Sequence, residues 1–482
     1  MFDLRFPQAP VGPVALPLPC TPERERTIPM KNLTLKVLLI TVAVTSLTYV
    51  VGEVGANGEG SNARSTSVDA DATGVAPVVE GPLANSTLDD IDRLIRDTEA
   101  QIGSTPTSSS LDLLARLLLS RGRMTGEATS YADAESAARR SLEIAPRNPE
   151  AQAIQTEVLY ANHQFSEAAA KAKAIFDADP TQLGALAVYS DSLRELGDVV
   201  GASSVVDRLE TLAPGLPSVT VRRARIYTLT GQSDLADRAA QRAEAAARQS
   251  GLLGPTLAFY SSFRGQLAFD SGDYATALEH FDESLAVADG DRVATVGRAR
   301  TLAAMGRLSE ARQILSALTE RYPEPGSLAL LEDVHRAEDD EVSASMTSEL
   351  VDAVAGIARS NQQIYNRELA LYYANHDRNL AEALKLARAE ITQRKDLHAY
   401  DTLAWAEFKS GNPKEAAAAA EQALASGARD AAVWYHAGMI ALANGERIRG
   451  VELLEKALAL NPSFDVRQAP LARAALSKVG NQ

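Results

Sequence analysis

Apolar residues recur along this chain at helical spacing. Leu88, Ile91, Leu94 and Ile95 fall three or four residues apart and predict a helix over 86–102. Near the other end, Trp434, Ala437 and Gly438 are followed by Gly445, Gly450, Leu454, Ala457 and Pro462. Asp430 suits the N-cap of a first helix. Gly445 suits a sharp turn, and Leu454 with Ala457 marks the buried face of a second helix. Pro462 stops that helix. Gly438 and Gly450 carry no side chain, so the two helices can approach closely. Phe263, Gly265, Gly272, Tyr274, Ala277 and Phe281 follow the same plan. Each such segment predicts a helix–turn–helix with one apolar face left open, so it must stack on a neighbour.

The plan repeats. Pro146, Pro180 and Pro214 stand 34 residues apart, as do Ala134, Ala168, Ala202 and Ala236. Gly197 and Gly231 keep the step, with His163 in that slot one repeat earlier. After a slip of seven residues, Gly272 and Gly306 resume it beside Ala277 and Ala311. Gly411 and Gly445 resume it again, with Ala416 and Gly450 in the matching slot. Repeats are expected over 110–148, 149–182, 183–216, 217–252, 258–291, 292–325, 364–396, 397–430 and 431–464. The gap leaves room for a degenerate pair over 326–361. Its first helix would bury Leu328, Leu330 and Leu331, and its second Leu350, Val351 and Val354, with 338–341 in the turn. The segment 124–130 reads as an insertion in the first unit's turn. A closing helix over 467–479 is expected to turn Leu471 and Leu476 inward.

The period, with Trp434-x-x-Ala437-Gly438, Gly445, Leu454-Glu455-Lys456-Ala457-Leu458 and Asn461-Pro462, resembles the tetratricopeptide repeat (TPR). The resemblance covers roughly 110–464 and is most specific in the last unit. The stretch 369–464 also resembles an exported bacterial TPR subgroup of unknown specific function. It does so through Tyr373-Ala374-Asn375-His376-Asp377, Asp401-Thr402-Leu403-Ala404-Trp405 and Tyr435-His436-Ala437-Gly438-Met439-Ile440. The resemblance implies an all-α, right-handed superhelical solenoid of about ten helix pairs. It also implies a protein-binding scaffold whose first helices line a concave face. The expected organisation is a solenoid over 110–464, a capping helix and linker over 86–109, and a second cap over 465–482.

Upstream the pattern changes. Residues 1–29 are rich in proline and lack periodicity; Met30 offers an alternative start of translation. A short basic segment then precedes the mostly apolar residues 37–51, and small residues follow up to Ala56. This reads as a secretory signal peptide over 30–56. Fifteen residues span about 22 Å as a helix, against a hydrocarbon layer of roughly 30 Å. An uncleaved anchor over 37–54 is the competing reading. Gly, Ser, Ala and Asp over 57–85 read as a flexible linker. The expected location is outside the cytoplasm, free or tethered to the membrane.

Composition narrows the chemistry. A formal charge of −15 argues against a nucleic-acid partner. Cys20, the single cysteine, excludes an intrachain disulfide framework or a thiolate zinc site. No phosphate-binding glycine loop, His-Glu-x-x-His or Gly-x-Ser-x-Gly is present. Six histidines remain, and only His398 with His436 invites a metal test. Their expected offsets, about 6 Å along the helix and about 9 Å across, are too large for ligands that must each lie about 2 Å from an ion. Neither cofactor nor metal is expected, and the chain is not expected to be an enzyme.

Two groups on first helices are candidate partner contacts. Arg222, Arg223 and Arg225, then Arg264, then Arg298 and Arg300, occupy matching slots of three consecutive repeats. Arginine forks suit carboxylates, so an acidic peptide is the partner they would fit. The same arginines could instead pair with the chain's own excess of acids. Tyr372, Tyr400, Trp405, Trp434 and Tyr435 form an aromatic group. Trp434 is expected in the core, and Trp405, Tyr435 and His436 are the better candidates for exposed contacts. The slots that a carboxylate clamp would need hold Ala153, Glu157 and Val188, so that binding mode is not expected. The main expectation is a non-catalytic, exported scaffold. The alternatives are an enzyme or metal-binding subunit acting near His376, Asp401 and His436, and a membrane-tethered assembly factor.

Overall fold

The computed structural model describes residues 83–103, 105–360 and 366–481, all within one compact unit, Ala63–Gln482. The expectations for 1–29 and 30–56, and for the linker up to residue 82, lie outside the described residues. The described residues form 22 helices and no strand. A capping helix, α1 (Leu88–Ile102), opens the array. Ten helix pairs follow. Units one to three are α2 (Ser108–Thr125) with α3 (Ala128–Ile144), α4 (Pro149–Ala161) with α5 (Phe165–Ala178), and α6 (Leu183–Glu195) with α7 (Val199–Leu212). Units four to six are α8 (Pro217–Leu229) with α9 (Ser233–Gln249), α10 (Gly254–Asp270) with α11 (Tyr274–Val287), and α12 (Arg292–Ala304) with α13 (Leu308–Arg321). The interval 326–361 holds unit seven, α14 (Pro325–Ala337) with α15 (Glu341–Ser360). Units eight to ten are α16 (Asn366–Asn375) with α17 (Leu380–Gln393), α18 (Leu397–Lys409) with α19 (Pro413–Leu424), and α20 (Ala431–Ala443) with α21 (Arg447–Leu460). The closing cap is α22 (Gln468–Gly480).

Local sequence explains where these helices start and stop. Thr87 and Thr107 form reciprocal caps with Asp90 and Ser110. Asp198, Asp273, Asp291, Asp396 and Asp430 cap helices through their carboxylates. The same slot of every turn inside a pair holds a residue with positive φ, and the turn of unit eight adds a second, Asn379. Seven of the ten are glycine; His163, Asp339 and Asp377 fill the slot in units two, seven and eight. In unit one the turn is Gly126, reached after α2 runs on to Thr125, so the expected insertion over 124–130 is a lengthened helix. The periodic alanines have one cause: Ala134, Ala168, Ala202, Ala277, Ala311, Ala383 and Ala416 are fully buried on second helices. A larger side chain there would force the paired helices apart. In α22 the inward residues are Ala469 and Ala472; Leu471 is 47% exposed, contrary to expectation, while Leu476 packs against the core.

The array also folds onto itself. Residues 394–397, joining units eight and nine, meet the turn of unit three: Lys395 N donates to Glu195 O at 2.8 Å, and Arg394 lies 2.9 Å from the Glu195 carboxylate. The connection after unit nine meets the turn of unit four, where Leu229 joins a cluster with Leu397, Ala423 and Val433. A Cβ on Gly231 would stand 2.3 Å from the Gly427 carbonyl oxygen, so only glycine fits. The connection after unit ten meets the turn of unit five: Asn461 Nδ2 donates to Phe269 O at 2.6 Å, and Ser463 N donates to the Tyr274 hydroxyl at 2.8 Å. At the other end, Asn85 bonds Gly251 O at 3.0 Å and Leu253 N at 2.8 Å, seating residues 83–85 on the connection between units four and five.

Candidate functional site

Stacked helix pairs and these cross-contacts border a partly open cavity of about 2590 Å³. Its wall is built mainly by the first helices of units one to six and eight to ten. Such helices point one row of side chains inward and the neighbouring row at the helix of the adjacent unit. That geometry sorts the arginines.

One row braces unit to unit. Arg223 bonds Glu210 at 2.9 Å and Asp207; Arg264 reaches Glu244 at 2.8 Å; Arg298 reaches Asp282 at 2.6 Å. In each case an arginine on a first helix meets an acid on the second helix of the preceding unit. Arg222 is a brace of another kind. It is 2% exposed, donates to Asp191 on α6 from Nη2 at 2.7 Å and from Nε at 3.1 Å, and donates to Ser218 O. Arg222 and Arg298 do not line the cavity, whereas Arg225, Arg264 and Arg300 do. Arg300 lies over the Phe269 ring, 4.2 Å from its centroid, and donates to Phe464 O at 3.1 Å. Arg225 lies over Phe259 and Phe263. Burial, then repulsion from Arg194, pushes its guanidinium down to about 10.

The tetratricopeptide repeat family model matches residues 268–334 and 402–463. The chain carries tetratricopeptide repeats. Among solved structures, it is 22% identical to a thermophilic TPR protein of Thermus thermophilus, with a TM-score of 0.36, covering 40% of this chain and 98% of that one. A TPR protein of Parabacteroides merdae is 17% identical, with a TM-score of 0.30, covering 55% of this chain and 99% of that one. No curated protein matches the chain in sequence.

In the TPR array the aromatic group is placed otherwise than expected. Trp405, Tyr435 and His436 are 3%, 1% and 3% exposed, so none is a surface anchor, while Trp434 is only partly buried. Trp405 Nε1 donates to Asn375 Oδ1 at 2.8 Å and its ring stacks on His436 at 4.2 Å; Tyr435 packs on Phe464. These rings fill the seam between units eight, nine and ten, where the polar ring atom of Trp405 has a partner.

His436 and Asp401 do reach the cavity wall and form a pair, Nδ1 to Oδ2 at 2.9 Å. Gln468 Nε2 stands 3.0 Å from His436 Nε2. An amide NH₂ only donates, so Nε2 accepts and Nδ1 carries the proton. Both ring nitrogens of His436 are thus bonded to side chains of the fold. His376 differs: Nδ1 faces Tyr372 O at 2.8 Å and Nε2 faces Asp333 at 3.1 Å, two acceptors that call for the doubly protonated ring. Burial opposes that charge, but Asp333 and Glu332 carry the net shift upward. Among the described residues, Glu244, His280 and Glu283 come close enough together to hold an ion. Glu244 already accepts from Arg264 at 2.8 Å, Arg248 at 2.7 Å and Ser261 at 2.7 Å, so its charge is spent on arginines. Glu157, in a slot that a clamp would fill with a donor, is a carboxylate held by Arg116 and Arg123.

Sequence reasoning missed the self-contacts, Asn375 and Gln468 as the polar link across the seam, and the isolation of Arg225. The 34-residue register reports neighbouring units only, and carries no signal for a contact between units three and nine.

Proposed function

We propose that the chain is a non-catalytic scaffold that holds a segment of a protein partner inside the cavity of its TPR array. The supporting observation is the cavity's size and lining. Small-molecule sites occupy roughly 300–1,000 Å³, and about 2590 Å³ is far more. The wall mixes charged side chains with apolar ones such as Leu371, Phe259 and Leu267, a lining suited to a peptide with alternating side-chain character.

We place this scaffold outside the cytoplasm, on the strength of the basic and apolar residues over 30–56. No described helix is long and apolar enough to cross a membrane. Amino-terminal sequencing of the native protein should find a start near Asn57; recovery of residues upstream of Val37 from membranes would make it a tethered factor instead.

A photo-crosslinking residue placed in the full chain tests the cavity reading. At Leu371 or Thr228, on the wall, it should capture a partner in an extract of the source cells. At Val200 or Ile448, on the outside, it should not. Capture only from the outer positions overturns the proposal.

A further inference from the structure

Away from its exposed rim, the arginines of the cavity wall have partners, with one informative exception. Arg194 pairs with Glu195 at 2.6 Å and donates to the Tyr160 hydroxyl at 3.1 Å. Arg264 has Glu244, Arg292 has Glu324, and Arg300 has a backbone carbonyl. Among the described residues Arg225 has two rings but no hydrogen bond and no ion pair: its guanidinium carbon sits 5.6 Å from the centroids of both Phe259 and Phe263, and the attraction of Asp191 reaches it only from a distance.

The repeat register explains the isolation. One unit earlier, the equivalent of Arg225 is Asp191, whose carboxylate is taken by Arg222. One unit later it is Gln266, an amide that donates to Asp270. Neither neighbour on the same row supplies a free acid. Arg194 and Arg222 add positive charge nearby, and the Nε atoms of Arg194 and Arg264 are buried without an acceptor. The chain has 63 acidic residues against 48 Lys and Arg, so an arginine without a carboxylate runs against its composition. A half-buried cation with no ion pair adds little or nothing to the stability of the fold that contains it.

We propose that Arg225 is the anchor for the carboxylate of an acidic side chain of the partner segment. The two phenyl rings hold the guanidinium by its π-system, which leaves its in-plane N–H edges for a two-pronged contact with a planar carboxylate. The inference rests on the cavity-binding reading and adds the chemistry of the bound group.

The test uses the full chain and a fluorescent hexaglutamate peptide. Arg225→Met keeps an unbranched stem between the rings and removes the charge. It should weaken peptide binding about tenfold or more, while Arg208→Met, which removes an exposed arginine lying over Phe176 away from the cavity, should change it less than about twofold. The Tm of Arg225→Met should equal or exceed that of the parent, the reverse of what loss of a brace would do. The assignment is overturned if the parent does not bind hexaglutamate, if Arg225→Met binds it as tightly as the parent, or if Arg225→Met lowers Tm. Complete displacement of the peptide by an equal concentration of glutarate also overturns it, in favour of a small-anion site. If crosslinks from Leu371 still capture a partner while hexaglutamate binding ignores Arg225, the carboxylate inference falls and the cavity reading stands.

Discussion

Substituting Gly231 by alanine separates the two demands made on that residue. It has φ +72°, and a Cβ would meet the Gly427 carbonyl oxygen at 2.3 Å. Gly411 occupies the same slot in unit nine with φ +84° and open space around it. Alanine in the left-handed region costs about 1–2 kcal/mol, and Gly411→Ala should lose no more than that. Gly231→Ala must also push the connection over 425–430 outward, loosening the contact of Leu229 with Leu397, Ala423 and Val433. Overfilling a close contact costs about 1–3 kcal/mol, so the total should reach about 2–5 kcal/mol. Hydrogen exchange reads the difference locally. The Gly427 amide, bonded to Leu424 O at 3.1 Å, should exchange faster in Gly231→Ala and at the parental rate in Gly411→Ala. Equal losses of stability in the two variants, with exchange at 425–430 unchanged in both, would refute the cross-contact.

Three further outcomes are expected. Gly438→Leu should cost about 1–3 kcal/mol, since even a Cβ there lies 2.9 Å from Leu454 Cγ and 3.2 Å from Gly450 O; an unshifted thermal scan would mean that the α20–α21 contact is not as close as described. Arg222→Met should cost about 3–5 kcal/mol by stranding buried Asp191, and adding Asp191→Leu should recover most of it in a denaturant titration. His376 has a folded-state pKa raised above 6.5, so its contribution is complete below 6.5 and is lost as pH rises through the folded value. His335, lowered by burial, acts in the opposite sense and only below 6.5. Above 6.5, then, the Tm of the parent should fall more steeply than that of His376→Gln; parallel curves would refute the charged assignment.

Much of the array was legible because a repeat writes its packing into one-letter positions. Alanine at the helix contact and glycine at the turn recur wherever a side chain beyond Cβ or a negative φ is excluded. The turn slot is harder to read where His163, Asp339 and Asp377 fill it, since a polar residue can adopt the left-handed region at some cost. The site was less legible. Arg222, Arg223, Arg225, Arg264, Arg298 and Arg300 look alike in sequence, yet one helical step decides whether a guanidinium meets an acid or the cavity. Exposure of Trp405 and Tyr435 was misjudged for a related reason. Phe464, the last residue of the last repeat, packs on Tyr435, and Gln468, beyond it, bonds the Asn375 side chain that receives Trp405 Nε1; the period describes neither contact.

The cross-contacts give the chain an order of events during synthesis. Neighbouring helix pairs can form as they emerge, because their contacts are local. Glu195 must wait for Lys395, Gly231 for Gly427, and Phe269 for Asn461. At about 5–20 residues per second, the turn of unit three is made roughly 10–40 s before the segment that covers it. Through that interval the first units form an open array in which Glu195 O and Phe269 O still lack these later donors. A partner segment threaded then would be enclosed when the last three units arrive, without having to enter a finished cavity.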